Sequence, residues 1–476
     1  MKVDWRGQRV VIIGAARQGL ALAAYLARHD AHVVINDRRD PKDLADVRQQ
    51  FADKVELQEN VAWVLGDHPV SLLDGADWLA VSGGVPLNNP LVTAAVERGI
   101  PLTNDSQIFL DAAPCRVIGI TGSAGKTTTT SLVGEMARAA QGPGQVWVGG
   151  NIGTPLISSV DAMHAADLAI MELSSFQLEL MHTSPHIAAV LNVTPNHLDR
   201  HGTMEAYQAA KARILAHQTE SDSAVLGRED PGANRLVEKV AGRLLTFGLH
   251  KPQGDAPTWE GTYLLGNELR LQTLHPFADL HLFKRSAIGL RGEHNLMNVL
   301  AACAIAAAAG LPVSAMRTAV ANFRGVPHRL EFVRQWRGAD WYNDSIATAP
   351  ERSMAAIRAF EEPLVLLAGG RDKDLPWDDF ATLVSQRVDH LVVFGEAAEK
   401  ILRALQACNL HPKERGERSP LTITPCADLR SAVQAAAKLV EPGDVVLLSP
   451  GGTSYDEFRD FEERGECFSR WVRDLH

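Results

Sequence analysis

Three times along the chain a short run of aliphatic residues ends in glycine and gives way to a stretch with helical apolar spacing: RVVIIG at 9–14, RVIGITG at 116–122 and LVLLAGG at 364–370. A short, continuously apolar run suits a strand covered on both faces, and strands that alternate with helices pair in parallel. Each block therefore predicts part of a doubly wound α/β sheet. The length agrees, since 476 residues correspond to about three domains.

The first block continues with the helical RQGLALAAYLARHD and the strand HVVIND, then ADWLAVSGG, the helical VTAAVERG and IPLTN. This predicts a Rossmann-like domain over residues 1–112. In the second block, LAIMEL, IAAVLNV and SAVLG recur between helical stretches such as KTTTTSLVGEMARAA. A small β-rich excursion is expected where RLLTFG, TYLLGNELRLQTL and ADLHLFKRSAIG alternate by twos, and GEHNLMNVLAACAIAAAAG returns to helix, closing a domain over 113–325. WYNDS, LVLLAGG, HLVVFG and DVVLLSPGG between helices predict a second Rossmann-like domain over 326–476. No period of 20 to 50 residues repeats in the sequence.

Hydrophobic residues make up 46% and charged residues 22%, ordinary for a folded soluble chain. The net charge of −10 argues against bulk binding of nucleic acid or an anionic membrane. The five cysteines form no CxxC pair, so neither a disulfide framework nor a zinc site is indicated. The N-terminal MKVDWRGQ has no apolar leader and no run approaches a membrane span, so a cytoplasmic protein is expected.

The strongest local signal is Ile118-Gly-Ile-Thr-Gly-Ser-Ala-Gly-Lys126-Thr127-Thr128 between a strand and a helix. Glycines let backbone N–H groups close on phosphate oxygens, and the helix N-terminus adds positive potential. Lys126 would neutralise the terminal phosphates and a following hydroxyl would meet Mg²⁺. The strict GxxxxGK[ST] form is not met, because Ile120 stands at the first glycine position. A purely structural turn is the competing reading, and the strand-to-helix context favours a nucleotide. Glu172 ends the apolar LAIMEL at the edge where α/β sheets bind ligands, a place that suits either a metal ligand or a helix cap. His197 follows IAAVLNV in a polar turn, as a metal or substrate ligand or a surface histidine. Lys211, within AAKAR, reads on its own as a solvated helical lysine.

TGSAGKTTT, GGNIGTP, MELSSFQLE, NVTPNHLDRH and YQAAKARI together resemble the central domain of the Mur ligases, and GEHNLMN, PHRLEF, NDSIAT, GGRDKD and LSPGGTSYDEF continue the resemblance in order. Within the family the pattern is most similar to members that add D-glutamate to UDP-N-acetylmuramoyl-L-alanine. The resemblance implies three domains and an ATP-dependent amide ligase of peptidoglycan precursor synthesis. It assigns ATP to Gly122, Ser123, Gly125, Lys126, Thr127, Thr128, Asn295, Asn298, Arg329 and Asp344. It implies two Mg²⁺ ions held by Thr127, Glu172, His197 and Lys211, with Lys211 carbamylated, and catalytic roles for Lys126, His197 and Lys211. A carbamate forms only from a neutral amine, so a depressed lysine pKa is implied too.

For the uridine precursor the resemblance implies Gly14, Gly19, Asp37, Arg38 and Asn151. Gly14-Ala-Ala-Arg-Gln-Gly19 also looks superficially like a dinucleotide fingerprint, but Ala16 replaces the middle glycine. For glutamate it implies Thr348, Lys373, Ser454 and Phe461. Two departures stand out: Asp37 occupies a place where the family has threonine, and DSIATA replaces DSKATN, with Ile346 for lysine and Ala349 for asparagine. The implied partners are the two small-molecule substrates, with no nucleic acid, no membrane insertion and a monomeric chain. The alternatives are a ligase for L-glutamate or another amino acid, a folate polyglutamate synthase, a P-loop kinase or a Rossmann dehydrogenase.

Overall fold

The computed structural model describes residues 3–53, 60–252, 259–274, 276–372, 375–408 and 421–476. The chain forms two compact units, Met1–Ile288 with Glu293–Phe323, and Gly289–Gly292 with Arg324–His476. The first unit carries two sheets and the second carries one, giving three α/β domains.

The N-terminal sheet is all parallel, in the order Val61–Leu65, His32–Asp37, Arg9–Ile13, Trp78–Val81, Leu102–Thr103. Val10 to Ile13 are fully buried, as expected of a run covered on both faces. The chain leaves Arg9–Ile13 first to one side and later to the other, which opens a crevice beyond the carboxyl ends of the central strands. The edge strand Val61–Leu65 was not anticipated; it is only half-buried, and its VAWVL pattern is weak.

The central sheet has nine strands. Seven are parallel, in the order Glu260–Leu265, Arg243–Phe247, Ser223–Gly227, Ile187–Val190, Arg116–Thr121, Leu168–Glu172, Val146–Gly150. Glu268–Leu274 and Phe277–Lys284 then add antiparallel strands at the Glu260 edge. This corrects one expectation. RLLTFG belongs to the parallel array and not to a β-rich excursion, because the Ala-rich helix Glu293–Ala308 packs over it and over both neighbouring strands. A short apolar run carries no sign of how far such a cover extends.

In the second unit the order is Glu331–Trp336, Ala339–Asn343, Val445–Gly451, Leu364–Gly369, His390–Phe394, Thr422–Pro425, parallel except for the first pair. Phe380 and Ile401 sit in the core on one face, Leu429 and Phe468 in the core on the other. Among the described residues no helix is long and apolar enough to cross a membrane.

Candidate functional site

The strand Arg116–Thr121 is buried at Val117, Ile118 and Ile120, and it delivers the chain to Gly122–Gly125 at the carboxyl edge of the central sheet. The helix Lys126–Ala139 starts there, with Gly125 as its cap at φ +81°. Glycine is required twice over, because a Cβ at this place would lie 2.2 Å from Asn298 Oδ1. Asn192 holds the turn open: its carbonyl accepts from Ser123 N–H at 3.0 Å and its Oδ1 from Ala124 N–H at 2.8 Å. Lys126 folds back so that Nζ donates to Gly122 O at 2.8 Å. Asn298, buried, donates through Nδ2 to Asn295 Oδ1 at 3.1 Å. The two amides are thus locked together, with Asn298 set directly against the loop. Thr128 lies buried behind it.

The neighbouring strand Leu168–Glu172 brings Glu172 to the same edge, opposite Ile120 in register. Glu172 is 2% exposed. Its Oε2 accepts from Thr127 Oγ1 and its Oε1 from Asn151 Nδ2, both at 2.9 Å. Both donors are neutral, so the carboxylate charge is hydrogen-bonded but not cancelled by them. Among the described residues no group of three or more His, Cys, Asp or Glu is set to hold a metal. The oxygen donors of Thr127 and Glu172 nevertheless fit Mg²⁺, which takes few protein ligands and completes its shell with phosphate and water oxygens.

Lys211 is not a solvated lysine. It is 1% exposed on the helix Met204–Ala212, with Nζ 3.3 Å from Thr121 Oγ1 and 4.8 Å from the Tyr207 ring. Burial pushes its pKa down to about 7, the positive charge of Lys126 adds to the fall, and Glu172 opposes it. A large share of neutral amine at neutral pH follows. His197 occupies an exposed turn at a left-handed φ of 53°, with its ring edge-on to Phe176 at 5.2 Å.

In the N-terminal sheet, Gly14 and Gly19 make the turn after Arg9–Ile13. A Cβ at Gly19 would strike Gly14 O at 2.0 Å. Asp37 Oδ2 accepts from Ala15 N–H at 2.8 Å and from Arg39 Nη2 at 2.8 Å, while Oδ1 accepts from Arg39 N–H and Nε at 3.0 Å. Burial alone would raise the Asp37 carboxyl, but the bonds from Arg39 and Ala15 outweigh it and hold the group well below the usual carboxylate range. Arg38, the residue singled out from sequence, is exposed. Asn151 lies at the other glycine turn, beside Glu172, and its carbonyl accepts from Arg17 Nη2 at 3.4 Å.

In the second unit, Asp344 follows the strand Ala339–Asn343 and is buried, accepting from Ser449 Oγ at 2.8 Å and Leu330 N–H at 3.2 Å. Burial raises its carboxyl to about 7 against those bonds and the positive charges of Arg329 and Arg352. Arg329 and Thr348 are half-buried and Ser454 is buried. Phe461 opens the helix Phe461–Arg473, and its carbonyl accepts from Ser345 Oγ at 2.8 Å. Lys373 lies outside the described residues.

The sequence reading missed three neighbours of these groups. Arg39 is the partner of Asp37, a contact that was not named from sequence. Tyr207 lies one helical turn before Lys211, a spacing that signals contact. Arg464, fully buried, ties the Thr348 loop to the Ser454 loop by donating to Ser345 Oγ and O and to the carbonyls of Gly452 and Thr453. Nothing in FEERG marks that arginine as internal.

Three family models match in chain order: a Mur ligase MurD-like N-terminal domain over residues 8–104, a Mur ligase middle domain over 120–306, and a Mur ligase glutamate ligase domain over 328–452. The chain is 39% identical over 470 residues to a protein of Symbiobacterium thermophilum named UDP-N-acetylmuramoylalanine–D-glutamate ligase, covering 98% of each chain. A protein of the same name from Pelotomaculum thermopropionicum is 38% identical over 478 residues, covering 100% of this chain and 99% of that one. Among solved structures, the UDP-N-acetylmuramate-alanine ligase MurC of Thermotoga maritima superimposes with a TM-score of 0.56 at 18% identity, covering 98% of this chain and 99% of that one. A MurF of Acinetobacter baumannii gives 0.54 at 19% identity, covering 84% and 86%. Both structures support the fold alone.

Proposed function

The chain belongs to the Mur ligase family, and we propose that it joins D-glutamate to UDP-N-acetylmuramoyl-L-alanine while ATP is cleaved to ADP and phosphate, a step of peptidoglycan precursor synthesis. The names and full-length coverage of the relatives support the substrate pair. The observation that carries the chemistry is the buried Glu172 between Thr127 and Asn151 at the glycine turn that ends in Lys126.

A carboxylate is a poor electrophile until its oxygen becomes a leaving group. The L-alanyl carboxylate of the precursor attacks the γ-phosphorus of ATP, ADP leaves, and an acyl phosphate results. The glutamate amine then attacks the acyl carbon, loses a proton and expels inorganic phosphate. Lys126 and the backbone N–H groups of Gly122–Thr128 hold the phosphates and offset the charge that develops on them. Thr127 and Glu172 would hold Mg²⁺, which when bound supplies further charge neutralisation.

Lys211, through its neutral amine, would add CO₂ with loss of a proton, and the resulting carbamate and His197 would hold a second metal ion, which would supply further charge neutralisation. The depressed lysine pKa supports this. Asn295 and Asn298 receive the nucleotide base, and Arg329 and Asp344 serve ATP as well. The Gly14–Gly19 turn, Asp37, Arg38 and Asn151 take the uridine precursor; Thr348, Lys373, Ser454 and Phe461 take glutamate. Residues 1–112, 113–325 and 326–476 divide these ligands among three domains of one chain, which works as a cytoplasmic monomer.

The test is phosphate release with each substrate omitted in turn. Release should require UDP-N-acetylmuramoyl-L-alanine and D-glutamate together. Equal release with L-glutamate would overturn the stereochemistry, on which Ile346 and Ala349 bear, and release without any amino acid would overturn the ligase reading.

A further inference from the structure

His201 lies four residues after His197, and its side chain is 1% exposed, yet both ring nitrogens are engaged. Nδ1 is 3.0 Å from Glu179 Oε1, and Nε2 is 2.9 Å from Ser175 Oγ. Glu179 thus lies within ion-pair distance of one ring nitrogen, and the Ser175 hydroxyl shares a hydrogen bond with the other. One hydrogen bond and one charged contact, at the two nitrogens of one imidazole, restrain its rotation. The ring stacks on Phe176 at 5.1 Å with 9° between planes, and meets Tyr207 at 5.0 Å with 52°. Tyr207 is 1% exposed and faces two groups of the phosphate site: its hydroxyl is 3.0 Å from Ser123 Oγ, and its ring lies 4.8 Å from Lys211 Nζ.

We infer that His201 is a positioning residue for phosphoryl transfer, held by Glu179 and Ser175 so that it sets the Tyr207 ring and, through it, Ser123 of the glycine turn and the lysine Lys211. The inference rests on reading that turn as the ATP site. Packing alone does not explain the arrangement, since phenylalanine would fill the same space against Phe176 and Tyr207. It would, however, leave a carboxylate and a hydroxyl unpaired and let the ring turn. The Tyr207–Ser123 contact is a single hydroxyl pair, and such a contact is lost with a displacement of well under an ångström, a scale on which transfer rates respond strongly.

The experiment compares steady-state kinetics, ADP binding by calorimetry and melting temperature for the wild type and a small set of variants. His201→Phe should lower kcat by about tenfold while KM for the uridine precursor stays within about twofold, and ADP should bind about threefold more weakly. Glu179→Ala should repeat the kcat loss, and Glu179→Gln should recover most of it, because an amide of the same size still fills the place beside Nδ1. The double variant of His201→Phe with Tyr207→Phe should fall no further than the worse single, since both act through one contact. Wild-type kcat and ADP affinity in His201→Phe would overturn the inference, as would losses that multiply in the double variant. If His201→Phe does not fold, Ser175→Ala, which removes only the partner of Nε2, is held to the same expectations. A wild-type protein that binds no ADP would overturn the phosphate-site reading as well; an active wild type with an indifferent His201→Phe overturns the inference alone.

Discussion

The chain makes the same bend twice, at Gly14–Gly19 and at Gly122–Lys126, each where a buried parallel strand turns into a helix. In both, a carboxylate ends the adjacent strand: Asp37 beside the first turn, Glu172 beside the second. The partners differ. Asp37 is bonded by a backbone N–H of its own turn and by the Arg39 guanidinium, so a full positive charge cancels it. Glu172 is bonded by a hydroxyl and an amide, both neutral, and although it favours the charged form of the buried Lys211, burial and Lys126 drive that lysine toward its uncharged form. The fold delivers a carboxylate to each glycine turn; the first is paired with an arginine, and the second is held by neutral donors.

Exchanging charge for a neutral amide should separate the two turns most clearly. Glu172→Gln keeps the size of the side chain and should lower kcat by on the order of a thousandfold, the scale expected when a group that stabilises developing charge is lost. Asp37→Asn should leave kcat within a few-fold and raise KM for the uridine precursor by about tenfold, the loss of one charge-assisted contact network. Measured together by ADP release, comparable kcat losses in both would break the comparison.

Stability sharpens it next. Lys211 titrates near 7 in the folded protein and near 10.5 when unfolded. Between those values the unfolded chain holds more protons, so stability rises with pH across the window, and the full penalty of a buried ammonium is present below about pH 7. In carbonate-free buffer Lys211→Met should therefore stabilise the protein at pH 6 by a few kcal/mol, on the order of 3, with the gain shrinking toward pH 10. Denaturant midpoints would check this, and a destabilised variant at pH 6 would contradict the burial argument.

The smallest effect tests the first turn. Asp37 is held below its unfolded pKa of 3.8, so its contribution is present above that value and is lost as pH falls through and below it. Arg39→Ala should cost about 1 kcal/mol at pH 7, modest because the arginine is 44% exposed, and should flatten the acid loss of stability. Arg38→Ala should stay within about 0.5 kcal/mol. A larger loss from Arg38 than from Arg39 would reverse the assignment of the partner.

Local chemistry carried much of the site into view from sequence. The glycine turn before Lys126 and the carboxylate at the end of LAIMEL are each encoded within one element, and the family resemblance pointed to the amide pair of Asn295 and Asn298. Lys211 could not be read that way, because AAKAR is equally good as a solvated helix face. Its burial depends on Thr121, Tyr207 and Glu172, which lie on three other stretches of chain or a turn away. The pairing of Arg39 with Asp37 could not be read either, because adjacent residues at a strand end differ only in which way the chain turns. Arg464 and His201 were invisible for a related reason: polar residues on helices read as exposed until another element covers them.

The sequence by itself determined the α/β class, the glycine turns and the residue types at each strand end, because a strand's burial and a helix's start are set by neighbours within a few positions. Only the tertiary structure decided which charged groups meet, and so which are neutralised. Ionisation follows from desolvation and from nearby charges, and for Lys211 those charges, Lys126 and Glu172, stand far from it in the chain.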